Sequence, residues 1–186
     1  MLAQAAIEEK LVTGEELLAM GDIGRTELID GRIVYMPPTS GGHGYFENGV
    51  GAFLDRFVRP RKLGWVLTGE VGIYIHRNPD TIRAADVAFV SRAQTDERPQ
   101  RGFLNLAPEL IVEIVSPGDL WQEFQQKIED YFAIGVKWLW VVEPEQKVIS
   151  VYHSPTVLKK FRMGDTLRGE GTLDGFELSL AELFEE

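Results

Sequence analysis

The hydrophobic pattern of the chain centres on a short apolar run, Leu110-Ile111-Val112-Glu113-Ile114-Val115, closed by Pro108 on one side and Pro117 on the other. Its length and β-branched content predict a strand buried on both faces rather than a helix. A second run, Ala84-Ala85-Asp86-Val87-Ala88-Phe89-Val90, predicts another such strand. Each run holds one acid, Glu113 in the first and Asp86 in the second. A carboxylate is almost never fully buried unless something pairs with it. Two acids, each embedded in an apolar strand, therefore point to a shared cation.

The remaining elements follow from local signals. Thr13-Gly14-Glu15-Glu16 has capping-box spacing and predicts a short helix through Met20. Asp30-Gly31 between Thr26–Ile29 and Arg32–Tyr35 predicts a β-hairpin, which Pro37-Pro38 terminates. Thr39 or Ser40 is the expected cap of the next helix, in which Phe46, Val50, Phe53, Leu54 and Phe57 share one face before Pro60 and Gly64 close it. A strand is expected over Trp65–Ile75 and a turn at Asn78-Pro79-Asp80. The polar stretch from Ser91 to Ala107 is expected to be a long surface loop, of a kind that often borders a substrate. Asp119 is the expected N-cap of a helix ending near Ile134, with Gly135 at C′. Strands are expected at Lys137–Glu143 and Lys147–His153, a further hairpin at Gly164-Asp165, and a second capping box at Ser179–Glu182. The alternation predicts one mixed α/β (α+β) domain spanning residues 1–186, its core from about residue 25.

Composition narrows the setting. The chain has 186 residues, 44% of them hydrophobic, enough for one full core. It has no cysteine, which excludes disulfides and thiolate chemistry and points to a reducing cytoplasm. The segment Met1–Val12 contains Glu8, Glu9 and Lys10 and lacks a signal-peptide core, and no apolar run is long enough for a membrane span. A net charge of −10 argues against a general affinity for nucleic acid, although it leaves room for acidic metal ligands.

Leu120, Phe124, Lys127 and Tyr131 recur at helical spacing, so Lys127 falls on the stripe expected to face the sheet. The helix follows the Glu113 strand after a tight turn, so the amine can meet the two carboxylates. The bland alternative is a lysine snorkelling to the rim. Phe124, Tyr131, Phe132, Trp138 and Trp140 read most simply as core.

The ordered set Glu27-Leu28-Ile29-Asp30-Gly31, His43, Asp86-Val87-Ala88-Phe89-Val90, Pro108 to Pro117, Lys127, Tyr131, Gly135-Val136 and Trp138 to Pro144 resembles the bacterial putative restriction endonuclease family. That family lies within the PD-(D/E)-x-K nuclease-like superfamily. The resemblance implies a restriction-endonuclease-like mixed central β-sheet flanked by helices, with Mg2+ (or Mn2+) held by Asp86 and Glu113. The Ile114 carbonyl would be a further metal ligand, and Glu70 an acid near the site. In the superfamily the motif lysine stands two residues after the glutamate on the same strand. Here that position is Val115, and Lys127 is the substitute the chain offers. A hard cation favours carboxylate oxygens and would neutralise charge on a phosphate, while Lys127 would orient or deprotonate the attacking water.

His43 lies among Gly41, Gly42 and Gly44 at a helix start, where it would face a phosphate or simply belong to an exposed cap. Glu27 beside the hairpin reads as a catalytic acid or as a cross-strand charge. Arg56, Arg59, Arg61 and Lys62 form the densest basic cluster and are the candidate nucleic-acid contacts, or else complement a helix C-terminus. The leading expectation is a metal-dependent endonuclease acting on DNA, cytoplasmic, without a membrane partner, with a homodimer left open. The alternatives are an inactive nuclease-fold binding module and an acidic scaffold with a structural Lys127–Glu113 ion pair.

Overall fold

A computed structural model describes residues 10–118 and 120–185. The expected Asp119 cap and the start of the Met1–Val12 segment lie outside them. Helix α1 (Gly14–Ala19) opens with the capping box: Thr13 accepts from the Glu16 N–H and the Glu16 side chain returns to the Thr13 N–H. Strands β1 (Thr26–Ile29) and β2 (Arg32–Tyr35) pair with Ile29 opposite Arg32, leaving Asp30-Gly31 as a two-residue loop. Both loop residues have positive φ, as a type I′ turn requires.

Ser40 caps helix α2 (Gly41–Arg61), which runs one residue past Pro60 and ends on left-handed Lys62. The long strands β3 (Gly64–His76) and β4 (Thr81–Ser91) follow, then β5 (Leu110–Ile114), helix α3 (Trp121–Ala133), β6 (Trp138–Glu143), β7 (Val148–Ser154) and β8 (Val157–Arg162). The eight strands form one sheet in the order β2-β1-β4-β5-β6-β7-β8, with β3 running along β4. The pairing of β5 with β6 is parallel because α3 carries the chain back between them.

The core has two layers, one on each face of the sheet. On one face Val50, Leu54 and Val58 of α2 pack with Val87, Phe89, Val112 and Ile114. On the other, Phe124, Ile128 and Tyr131 of α3 pack with Ile111, Leu139 and Val141. All five residues of β5 are buried, as expected of a strand covered on both sides. Between Ser91 and Ala107, Phe103 packs edge-on against Tyr74, and Leu104 bridges to Ile73.

Two expectations near the C-terminus are corrected. Gly164-Asp165 does turn the chain, but β9 (Thr166–Arg168) pairs with β10 (Glu177–Ser179) rather than with β8. Burial decides this: Leu167 and Leu178 are sealed into the α2-side core, which draws β9 off the sheet edge. Ser179 precedes helix α4 (Leu180–Phe184) but makes no side-chain cap; it ends the β10 ladder opposite Thr166, and the Leu180 N–H donates to the Asp165 carbonyl. Among the described residues no helix is long and apolar enough to cross a membrane.

Candidate active site

The site is built from a gap in strand pairing. One edge of β4 carries β3 along its length. The other edge is shared, with β1 paired only at Ile82 and β5 only at Val87–Phe89. Residues 83–86 therefore have no strand partner on that edge, and their polar groups must be satisfied by side chains. The Ala84 N–H donates to Glu27 Oε1 at 3.0 Å, and the Ala84 carbonyl accepts from Lys127 Nζ at 2.8 Å. Opposite Asp86, β3 shifts register between Thr68 and Val71, with Gly69 and Glu70 both at positive φ. Such bulges re-aim side chains and recur beside active sites.

Asp86 is 3% exposed. Its Oδ2 accepts from the Ile114 N–H at 2.6 Å, and its Oδ1 lies 3.0 Å from His43 Nε2. His43 is buried at the start of α2 rather than exposed, and its Nδ1 lies 3.1 Å from Ser116 Oγ. The hydrogen bond to Asp86 raises the His43 pKa, outweighing burial.

Glu113 follows the alternation of β5 and faces α3 with Ile111. Its Oε2 accepts from Lys127 Nζ at 2.8 Å and its Oε1 from the Tyr131 hydroxyl at 2.6 Å. Lys127 and Tyr131 are four residues apart and so share a helical face. Burial pushes the Glu113 carboxyl up to about 8; the Lys127 charge opposes this and the Asp86 charge adds to it. Burial works against the Lys127 ammonium, but Glu113 and Glu27 outweigh it and raise its pKa. Tyr131 is held well above its usual range, first by burial and then by the Glu113 charge.

Glu27 is not a charge paired across the hairpin. Its register partner in β2 is Val34, and its carboxylate instead meets Arg83 at 2.8 Å and Lys127 at 3.4 Å. Burial alone would raise its pKa, yet the Lys127 and Arg83 charges bring it below the ordinary value. Arg83 is held in turn by Asp130 at 2.7 Å. Glu70 ion-pairs with Arg25, and burial followed by the Asp86 charge raises its pKa. Arg56, Arg59, Arg61 and Lys62 lie at the far end of α2, roughly 20 Å or more from His43 along the helix axis. There Arg59 pairs with Asp55, and Arg56 and Arg61 stack over Phe53 and Phe57.

Three residues contribute beyond the expected site residues. Tyr131 doubles as core and hydrogen-bond donor, and Arg83 bridges two acids. Glu47, one helical turn after His43, accepts from the Gly69 N–H at 2.7 Å. The one signal for Glu47 is its i, i+4 spacing from His43. Acceptor atoms of His43, Glu47 and Asp86 all lie within 4.8 Å of one another. Two carboxylates and one imidazole are a donor set of a kind that divalent cations accept.

The fold is shared with the crystal structure of a putative nuclease belonging to DUF820 from Anabaena variabilis ATCC 29413. The TM-score is 0.78 at 19% identity, covering 93% of this chain and 97% of that one. No curated protein matches the sequence. The sequence profile of the putative restriction endonuclease family (Uma2) matches residues 15–181, most of the length of the chain. The chain belongs to the putative restriction endonuclease family.

Proposed function

We propose that the protein is a divalent-metal-dependent nuclease that hydrolyses phosphodiester bonds of DNA. The observation that carries this reading is the Lys127–Glu113 ion pair at the gap in the β4 ladder, with Asp86 accepting from the N–H of Ile114, the next residue after Glu113. Family membership supports a nuclease, and the DUF820 neighbour is itself described as a putative nuclease.

Asp86 and Glu113 are the carboxylates proposed to hold the cation, with the Ile114 carbonyl beside them. When bound, it would supply Lewis acidity toward a phosphodiester oxygen. Lys127 acts as a fixed positive charge. Its ammonium has three N–H directions, and Ala84 O, Glu113 Oε2 and Glu27 Oε1 lie around it at 2.8, 2.8 and 3.4 Å. An amine so held stays protonated, so it stabilises charge developing on phosphate rather than taking a proton from water. Tyr131 and Lys127 together fix the Glu113 rotamer.

The test is incubation of the purified protein with end-labelled single- and double-stranded DNA in Mg2+ or Mn2+. Cleavage that EDTA and Asp86→Asn both abolish is the expected result. No cleavage of either substrate with either cation overturns the proposal. A second reading, a nuclease-fold binding module without catalysis, draws on Val115 at the superfamily lysine position and on the engagement of both Glu113 oxygens. It is distinguished by DNA binding without cleavage.

A further inference from the structure

The donors that gather at this site are not confined to the two strand carboxylates. His43 and Glu47 stand one turn apart on α2, and Asp86 faces them from the unpaired part of β4. Three donor atoms, one from each residue, lie within 4.8 Å of one another. Ligands sharing one ion at about 2.1 Å stand roughly 3–4 Å apart, so these side chains are already close to a ligating arrangement. Glu113, by contrast, faces α3, with one oxygen on Lys127 and the other on Tyr131.

The surroundings of the histidine bear on this independently of the cluster. Ser116 Oγ lies 3.1 Å from Nδ1 of His43, while Nε2 is turned to Asp86. In the metal-free protein Nε2–H donates to the Asp86 carboxylate; a cation would take the place of that proton, with Nδ1–H then donating to Ser116 Oγ. A metal-ligating histidine nearly always has its second nitrogen held in this way. Glu47 is likewise anchored from outside, by the Gly69 N–H of the β3 bulge at 2.7 Å.

We infer that His43 and Glu47 join Asp86 in holding the metal of this site, while Lys127 and Tyr131 position Glu113. This rests on the metal-dependent reading above and adds His43 and Glu47 to its ligand set. An imidazole ligand shifts preference from Mg2+, which favours an all-oxygen environment, toward Mn2+, Co2+ and Zn2+.

The experiment reads binding rather than cleavage. Protein stripped with EDTA and desalted is titrated with Co2+, followed by visible absorption, and with Mn2+ and Mg2+ by calorimetry. Circular dichroism and melting confirm that each variant is folded. The expected result is Mn2+ and Co2+ binding about tenfold or more tighter than Mg2+. Glu47→Gln and His43→Gln should each weaken Co2+ binding by about 10- to 100-fold, a range set by what even outer partners of a site contribute. Equal affinity for Mg2+ and Mn2+, or loss of Co2+ binding in Glu113→Gln but not in Glu47→Gln, overturns the inference. The two readings fail separately. A Co2+ spectrum that needs His43 and Glu47, in a protein that cuts no DNA, upholds this site and removes the nuclease. Cleavage with Mg2+ alongside Co2+ binding indifferent to Glu47→Gln does the reverse.

Discussion

Lys127 Nζ donates to Glu113 Oε2 at 2.8 Å across 14 residues of chain, from the middle of α3 to the end of β5. Val115 shares the α3 side of the sheet, where it packs against the same core layer. An amine at Val115, just past the end of β5, and an amine on α3 at Lys127 therefore approach Glu113 from neighbouring directions.

If Lys127 supplies the fixed charge, Lys127→Met should lower the cleavage rate by about 10²–10³-fold, the usual effect of removing one electrostatic donor. It should leave metal binding intact, since lysine is no ligand, and methionine keeps most of the apolar stem. The pH–rate profile should keep its shape in the residual activity, because the amine transfers no proton. Val115→Lys combined with Lys127→Met should recover part of the loss. Single-turnover assays on labelled DNA check all three outcomes; wild-type rates in Lys127→Met remove the residue from the mechanism.

A cation bound by the folded chain alone stabilises it by RT ln(1 + [L]/Kd), about 2.7 kcal/mol at a hundredfold excess over Kd. The melting temperature should therefore rise with millimolar Mn2+ and return with EDTA. Asp86→Asn should remove the rise, because Asp86 belongs to every ligand set this site offers. Identical melting of wild type in EDTA and Mn2+ counts against any metal here.

Glu113 carries a pH signature. Its carboxyl titrates at about 8 in the fold, against the ordinary 4.5. Between these values the folded state binds more protons than the unfolded one, so stability falls as pH rises. The contribution is complete below about 4.5 and is lost as pH passes through about 8. In EDTA, wild type should lose stability from pH 5 to 8, and Glu113→Gln should flatten that decline. Chemical denaturation at several pH values measures it, and parallel curves for the two proteins refute it.

Arg83 bridges Glu27 at 2.8 Å and Asp130 at 2.7 Å, with its side chain 11% exposed. Arg83→Met keeps volume but leaves Glu27 with Lys127 as its remaining counter-charge. Breaking a buried pair from one side costs about 3–5 kcal/mol. The lower half of that range is expected here, since Lys127 stays at 3.4 Å from Glu27. Urea denaturation gives the number, and a change below about 1 kcal/mol would place this network among weakly coupled surface pairs.

Local rules made much of the fold legible in the sequence. The proline-closed β-branched run became β5, Asp30-Gly31 became a two-residue turn, and Thr13 with Glu16 closed a capping box. Each of these depends on residues within a few positions of one another, so periodicity and turn chemistry suffice to read them. The helical spacing of Lys127 and Tyr131 was equally local, which put both on one face before any partner for that face was known. What tertiary structure decided was pairing at long range. β9 joins β10 because buried Leu167 and Leu178 outweigh the nearer partner β8. Glu27 turns to Arg83 and Lys127 because β1 meets β4 only at Ile82 and leaves the Ala84 N–H without a strand partner. Glu47 comes to His43 and Asp86 because α2 lies over the β3 bulge, and the basic cluster is carried to the other end of the same helix. The sequence by itself determined which strands are buried and which carry a carboxylate; sheet order and one broken ladder determined what those carboxylates face, because unpaired backbone and buried charge are satisfied by whatever the fold brings within hydrogen-bond reach.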